Sequence, residues 1–434
     1  MKHPSSLFQM ALCYNAIASQ CCSFNKWRRS WAALGLALAA FSTHEAHAVG
    51  APLPFTSYEA ENGSLGGGAT VRSLTAPPTT KFSSPELEAS GHSFVELNAT
   101  NESVTWTNNT GQNITAINLR ASIPDSAGGG GTTATLALYV HGTFRQNITL
   151  SSVQTWVYET DAAYDGMNET PSFEHAHIFY DETPFRVTGA AIAPGSTFML
   201  RKDSGNTAPF YYIDVVDVEN PPAALSQPAN SLSVTDYGAV ANNPSVNSQP
   251  AIQSCINAAI SQGKSVWVPA GTFYLNGTAG FTGTGFTMNG AGMWQTTLYR
   301  NVPIPGSGQQ SFFETYSTTV QNMRLDANAR SKDEGNSSCF NIKGTNWVIR
   351  NVWMQHHLGV WGAGTGGLIE GCRLANCWGD GINVNNSNSG YSGSNIEVKN
   401  NFIRGSGDDG IAINSDATSN IMDNIWIHDN TIVA

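Results

Sequence analysis

The sequence predicts an all-β chain, an N-terminal β-sandwich (jelly-roll) followed by a right-handed parallel β-helix, and three observations carry that prediction. Charged residues make up only 12% of the 434 positions, while Gly, Ser, Thr and Asn are abundant, a mixture that favours short strands joined by many turns. Between residues 53 and 219, short runs alternate apolar and polar side chains. Towards the end, the chain repeats with a step of 29 residues: Asp380-Gly381-Ile382 aligns on Asp409-Gly410-Ile411, and Arg373-Leu374 on Phe402-Ile403. Equivalent positions on successive coils of a parallel solenoid lie about 4.8 Å apart. The repeat therefore stacks carboxylate on carboxylate.

The first 48 residues stand apart from the rest. Lys26, Arg28 and Arg29 precede the apolar run Trp31–Phe41, and Ala46-His47-Ala48 has the small-x-small pattern of a signal-peptidase site, so residues 1–48 read as a secretion signal. Arg28-Arg29 leaves a twin-arginine route open. The apolar run is shorter than the ~20 residues that cross a bilayer, and a membrane anchor is not expected. Cleavage would remove Lys2, Lys26, Arg28, Arg29 and Glu45 and move the net charge from −11 to about −14. Such a surface disfavours nucleic acid and anionic membranes, and it favours a neutral polysaccharide partner over a polyanionic one. A monomer is expected. Cys13, Cys21 and Cys22 fall in the leader. Cys255, Cys339, Cys372 and Cys377 allow three pairings in an oxidising compartment, or they are small buried hydrophobes. Sequons at Asn98, Asn101, Asn108, Asn113 and Asn147 are glycan acceptors in a eukaryotic host.

The period-two runs of the first region are Ser93–Leu97, Ser103–Trp106, Ala134–Val140, Phe198–Leu200 and Tyr211–Val218. Their spacing and the turn residues between them indicate a sandwich over residues 53–219. Pro221-Pro222 and Pro228 mark residues 220–232 as a linker. At its start the region carries Tyr58-Glu59-Ala60-Glu61-Asn62-Gly63, and near its end Tyr212-Ile213-Asp214. Here the chain resembles carbohydrate-binding modules of the family 6 and 35 type. The resemblance implies a structural calcium ion held by Glu59, Glu61 and Asp214. Glu59 and Glu61 share one strand face, and hard oxygen ligands suit that ion; solvated strand residues are the alternative. Trp106 and Trp156 fit either a sugar platform or the core.

Residues 233–434 form the β-helix. A helix is predicted from Ser248 to Gln262, with apolar residues at 252, 256, 259 and 260 and a stop before Gly263. Ser265–Leu275 follows as strand. This opening resembles the cap and first coil of secreted β-helix polysaccharidases, with Asn242-Asn243-Pro244-Ser245 in place of an Asp-rich turn. Coils become legible from Phe340 onwards: Trp347–Met354, Leu368–Leu374, Ile396–Ile403 and Ile425–Ile432. The sequence stops at Ala434 inside a strand-like run, and an uncapped solenoid exposes strand edges, so a longer protein is expected.

Asp380, Asp408 and Asp409 are the candidate catalytic residues. Three carboxylates on adjacent coils cannot all ionise comfortably, and one proton-holding carboxyl beside a base is the division of labour that glycoside hydrolysis needs. A lone Gly-Asp-Asp-Gly is more often a plain turn; two copies in phase are not. Trp378, Trp361 and Tyr391 are candidates for stacking on sugar, with packing as the alternative. His356 and His357, one coil before Asp380, either line the cleft or form a surface turn. Gly290-Ala291-Gly292-Met293-Trp294, Asn351-Val352-Trp353-Met354, Gly359-Val360-Trp361, Trp378–Asn383 and Gly407–Gly410 together resemble glycoside hydrolase family 87, the mycodextranases and α-1,3-glucanases. That resemblance spans residues 233–434 and includes the order of sandwich before helix. It implies an endo-acting, inverting hydrolase of α-1,3-glucan or nigeran-type glucan, with Asp380, Asp408 and Asp409 catalytic and no cofactor in the reaction. Asp408 is expected as acid, and Asp380 with Asp409 as holders of the water. The alternatives are a polygalacturonase-like hydrolase, whose downstream His and Arg-x-Lys would lie at or beyond Ala434, and a noncatalytic glycan-binding β-helix.

Overall fold

Alternating runs give two facing antiparallel sheets. The computed structural model describes residues 50–75, 84–159, 175–178, 180–277, 279–301, 311–329, 338–385, 392–415 and 421–433; the leader, Tyr391 and Ala434 lie outside them. One sheet orders its strands Asp181–Arg186, Ala116–Ser122, Tyr211–Glu219, Ser93–Leu97 and Thr70–Ser73, with Thr56–Glu59 also pairing onto Tyr211–Glu219. The other runs Ser64–Gly66, Ser103–Thr107, Thr197–Arg201, Thr133–Val140 and Thr143–Ser151. Leu97, Val104, Leu119, Leu138, Phe198 and Ile213 fill the space between them. Trp106 belongs to this core. Its ring stacks on Phe198 at 5.3 Å and its Nε1 donates to the Glu59 carbonyl.

All seven residues of Ala116–Ser122 are buried. Ile117, Leu119 and Ala121 face the sandwich core, and the polar residues that alternate with them, Asn118, Arg120 and Ser122, are buried as well. Asn118 is covered at the junction with the β-helix, bonded to Glu182 and Asp217, which both hold Arg404, whereas Arg120 lies under the sandwich's own Asp214, Glu88 and Tyr180. The strand Asp181–Arg186 is likewise polar and yet starts buried at Asp181 and Glu182.

From Ser231 to Val433 the strands join one 19-stranded ladder, and its coil-to-coil pairs are parallel. The segment expected as linker ends inside it, since Ser231 and Leu232 pair with Ser265 and Val266. The linker is also strapped down: the Leu225 amide donates to the Ala291 carbonyl and Gln295 Nε2 to the Pro222 carbonyl. The cap helix runs Gln249–Gln262 and ends at Gly263 with φ 62°, the left-handed conformation that glycine adopts without strain. Ile252, Cys255, Ile256 and Ala259 face the core, whereas Ile260, expected on the apolar face, is exposed.

The step of 29 is the register of the ladder. Arg373 pairs with Phe402, Leu374 with Ile403, and Ile382 with Ile411. Corners turn through left-handed residues in columns, Asn322, Asn351, Gly371 and Asn400 in one, Asn346, Gly366, Asn395 and Asn424 in another. Asparagine tolerates that conformation and its amide also bonds along the column: Asn351 Nδ2 donates to Asn322 Oδ1 at 3.2 Å. Cys255, Cys339, Cys372 and Cys377 are unpaired and buried in the helix interior. Among the described residues no helix is long and apolar enough to cross a membrane.

Candidate active site

Two turns in phase carry the acidic residues. Asp380 follows the strand Arg373–Cys377, and Asp408 and Asp409 follow the strand Phe402–Ser406 stacked on it. Glycines let these turns approach. A Cβ at Gly359 would lie 2.2 Å from the Asp380 carbonyl oxygen, and one at Gly381 would lie 2.6 Å from that of Gly410. The turns are tied by backbone: the Gly381 amide donates to the Asp409 carbonyl at 2.8 Å, and Val360 donates to Gly381 at 3.0 Å.

The three expected carboxylates come together. One oxygen of each of Asp380, Asp408 and Asp409 lies within 4.8 Å of the others. Asp408 and Asp409 are exposed and Asp380 is half-buried. Both Asp380 oxygens are engaged: Oδ1 accepts from the Asp409 amide at 3.2 Å, and Oδ2 accepts from Asn383 Nδ2. Burial raises the pKa of Asp380; the Asn383 hydrogen bond works the other way, and the charge of Asp408 adds to the rise. Asp380 is thus a fixed carboxylate of enhanced basicity, while its two neighbours face solvent.

Two of the expected sugar contacts are corrected. Trp378 is 1% exposed, with its Nε1 donating to the Ala329 carbonyl at 2.8 Å, and His357 is fully buried, with Nε2 3.3 Å from Cys377 Sγ. Both pack the coils, His357 from the strand Val348–Gly362 and Trp378 from the turn that follows Cys377. His356 is neither in the cleft nor in a surface turn: it is buried between Asp181 and Asp326. Trp361 is half-buried and pairs in register with Asn383 above and Asn341 below, so it remains beside the acidic cluster. Tyr391 lies outside the described residues. Asn383, which sequence reasoning gave no role, is the residue that the site adds. Its position three residues after Asp380 in one strand of the repeat was the available signal.

The expected calcium ligands are neighbours in the sandwich: burial raises the pKa of Glu59 and of Glu61, the charge of Asp214 adds to both, and that of Glu59 adds to Glu61. Glu59 Oε2 and Glu61 Oε2 are buried without a hydrogen-bond partner, which fits a cation between them. Asp214 differs. Its carboxylate is ion-paired with Arg120 and accepts from the Ser90 amide at 2.9 Å, so it is already committed.

A parallel β-helix bearing a carboxylate cluster between adjacent coils is the architecture of a polysaccharide-hydrolase domain. Two family models match the chain, "Alpha-1,3-glucanase catalytic domain D1" over residues 52–221 and "Alpha-1,3-glucanase catalytic domain D2" over residues 242–428. The chain belongs to this α-1,3-glucanase catalytic-domain family, glycoside hydrolase family 87. Among solved structures it is similar to the Agl-KA catalytic domain, with 29% identity and a TM-score of 0.76 over 88% of this chain and 67% of that one. It is also similar to the catalytic unit of a thermostable family 87 α-1,3-glucanase from Streptomyces thermodiastaticus strain HF3-3, at 27% identity and TM-score 0.68 over 88% of this chain and 64% of that one. A family 87 α-1,3-glucanase catalytic domain in complex with nigerose shares the fold, at 24% identity and TM-score 0.67 over 88% and 66%. The chain thus spans about two-thirds of the length of these relatives. No match was found among curated proteins.

Proposed function

We propose that this protein hydrolyses α-1,3-linked glucan, or the related nigeran-type glucan, at internal bonds. The observation that carries the reading is the cluster itself: three carboxylates within 4.8 Å on two coils of a family whose members are α-1,3-glucanases. Asp380, held through both oxygens, acts with Asp409 to orient and deprotonate water. Exposed Asp408 delivers the proton to the glycosidic oxygen. The oxygens lie closer than the ~6.5–9.5 Å usual for an inverting pair of carboxylates. Inversion is nonetheless proposed because three groups share the space, two to hold water and one to serve as acid.

The test is direct. Incubated with α-1,3-glucan, the chain should release products whose reducing ends are first β-configured by NMR; α-configured initial products would refute inversion. Asp380→Asn, Asp408→Asn and Asp409→Asn should each lower turnover by ~10²–10⁴-fold, and pairs should combine far from additively. Normal turnover in all three would refute the site.

Three subsidiary readings accompany this one. Residues 1–48 direct export, which suits an insoluble extracellular substrate, and the exported protein works as a monomer. A calcium ion bound through Glu59 and Glu61 stabilises the sandwich by binding the native state only; it takes no part in hydrolysis. Calcium should raise Tm and a chelator lower it, and Glu61→Gln should abolish most of the difference. An unchanged Tm would remove calcium from the account.

A further inference from the structure

The sandwich does not simply sit beside the β-helix. Its strand Asp181–Arg186 begins with two buried carboxylates, and each reaches one of the two coils that bear the acidic cluster. Asp181 Oδ1 accepts from Asn376 Nδ2 at 2.6 Å and from His356 Nε2 at 2.9 Å. Glu182 Oε1 accepts from Arg404 Nε at 2.5 Å, and Arg404 also donates through Nη2 to Asp217 Oδ2 at 2.6 Å. Asn376 stands four residues before Asp380 and Arg404 four before Asp408. Asn376 is moreover a left-handed corner, φ 51°, stacked under the corner at Gly405, φ 68°. Adjacent side chains of one sandwich strand therefore hold both coils at the same distance upstream of their carboxylates.

We infer that Asp181 and Glu182 are positioning residues of the hydrolytic site, a clamp from the sandwich that sets the register of Asp380 against Asp408 and Asp409. Within the solenoid these two coils are linked by the ladder, by the Asp409 amide's bond to Asp380 Oδ1 and by interior packing, while three carboxylates so close repel one another. A clamp rooted in a second rigid element resists that repulsion. Misplacement of about 1 Å is enough to cost roughly 10²-fold in rate. The inference rests on the proposed hydrolase reading, but it concerns geometry that a measurement without substrate also reports.

The experiment uses the full chain. Asp181→Ala and Glu182→Gln should each lower kcat on soluble α-1,3-gluco-oligosaccharides by ~10–100-fold while KM changes less than ~3-fold. Asp181→Asn, which keeps an acceptor for Asn376, should retain part of kcat, and it serves if the alanine variant does not fold. Carboxyl ¹³C titration, with the Asp380 signal assigned through Asp380→Asn, should show the Asp380 midpoint falling by about half a unit or more as its turn loosens towards solvent and away from Asp408 and Asp409, which outweighs any weakening of the Asn383 hydrogen bond. Glu219→Gln is the control, removing an equally buried acceptor from Arg373 and Trp294: Tm should fall and both readouts should stay. The clamp is overturned if Asp181→Ala and Glu182→Gln lower Tm but leave kcat and the Asp380 titration as in the parent chain. Should the parent prove inactive on α-1,3-glucan, the hydrolase reading fails and the titration alone decides the clamp.

Discussion

Asp380 shows how one residue is tuned. Its folded pKa is raised, first by burial, against the ordinary carboxylate value of 3.8. A raised carboxyl adds no penalty below its unfolded pKa, where it is protonated in both states, and it destabilises the fold as pH rises through the folded pKa. Asp380→Asn should therefore leave Tm unchanged near pH 3 and raise it by about 1–4 °C at pH 7, while turnover collapses. A Tm gain independent of pH would show that the charge of Asp380 costs the fold nothing. The same rise in basicity suits a group that must take a proton from water.

Among the elements, the turns between stacked strands decide whether the carboxylates can meet. Gly381 lies where a Cβ would come 2.6 Å from the Gly410 oxygen and 3.0 Å from Ile403 Cγ2. Backbone on the next coil cannot yield as the end of a flexible side chain does, so an added methyl group forces the coils apart. Gly381→Ala should cost ~10²-fold or more in kcat and lower Tm. Gly128→Ala, where nothing lies within 4 Å, should change neither. Equal behaviour of the two variants would deny the close approach its role.

Across the whole molecule, the junction of sandwich and helix is ionic, and its paired side chains are buried. His356 is 5% exposed and bonded to Asp326 and Asp181, at 2.9 Å each. Burial alone would depress its pKa, but the two carboxylates raise it to about 10. With its folded value above the unfolded one, His356 stabilises the protein fully below about pH 6.5, and this contribution is lost as pH rises towards 10. His356→Gln leaves buried Asp181 without a cation and Asp326 with Arg324 alone, and should cost about 3–5 kcal/mol at neutral pH. Between pH 7 and 10 the Tm of the parent should fall more steeply than that of the variant. Parallel slopes would mean that His356 carries no charge at the junction.

Local sequence determined the solenoid, because a parallel coil repeats its environment and so repeats its residues: the step of 29, the Asp-Gly-Ile pairs and the corner asparagines are one pattern. For the same reason the three aspartates were legible, in phase on two neighbouring turns. Sandwich strands with one wetter face were equally plain, as Thr197–Arg201 and Ser103–Thr107 show. What the tertiary structure decided was every feature made by contact between distant segments. Asp181–Arg186 carries no alternation, and in Ala116–Ser122, where Ile117, Leu119 and Ala121 alternate with Asn118, Arg120 and Ser122, nothing local shows that the polar face is buried as well. Trp378 and His357 have the composition of a sugar site, but contacts with neighbouring coils bury them in packing. Asp181 and Glu182 carry no local signal of their role; Asn376 and Arg404, more than 190 residues further on, meet them where their side chains are buried and an unpaired charge would be costly.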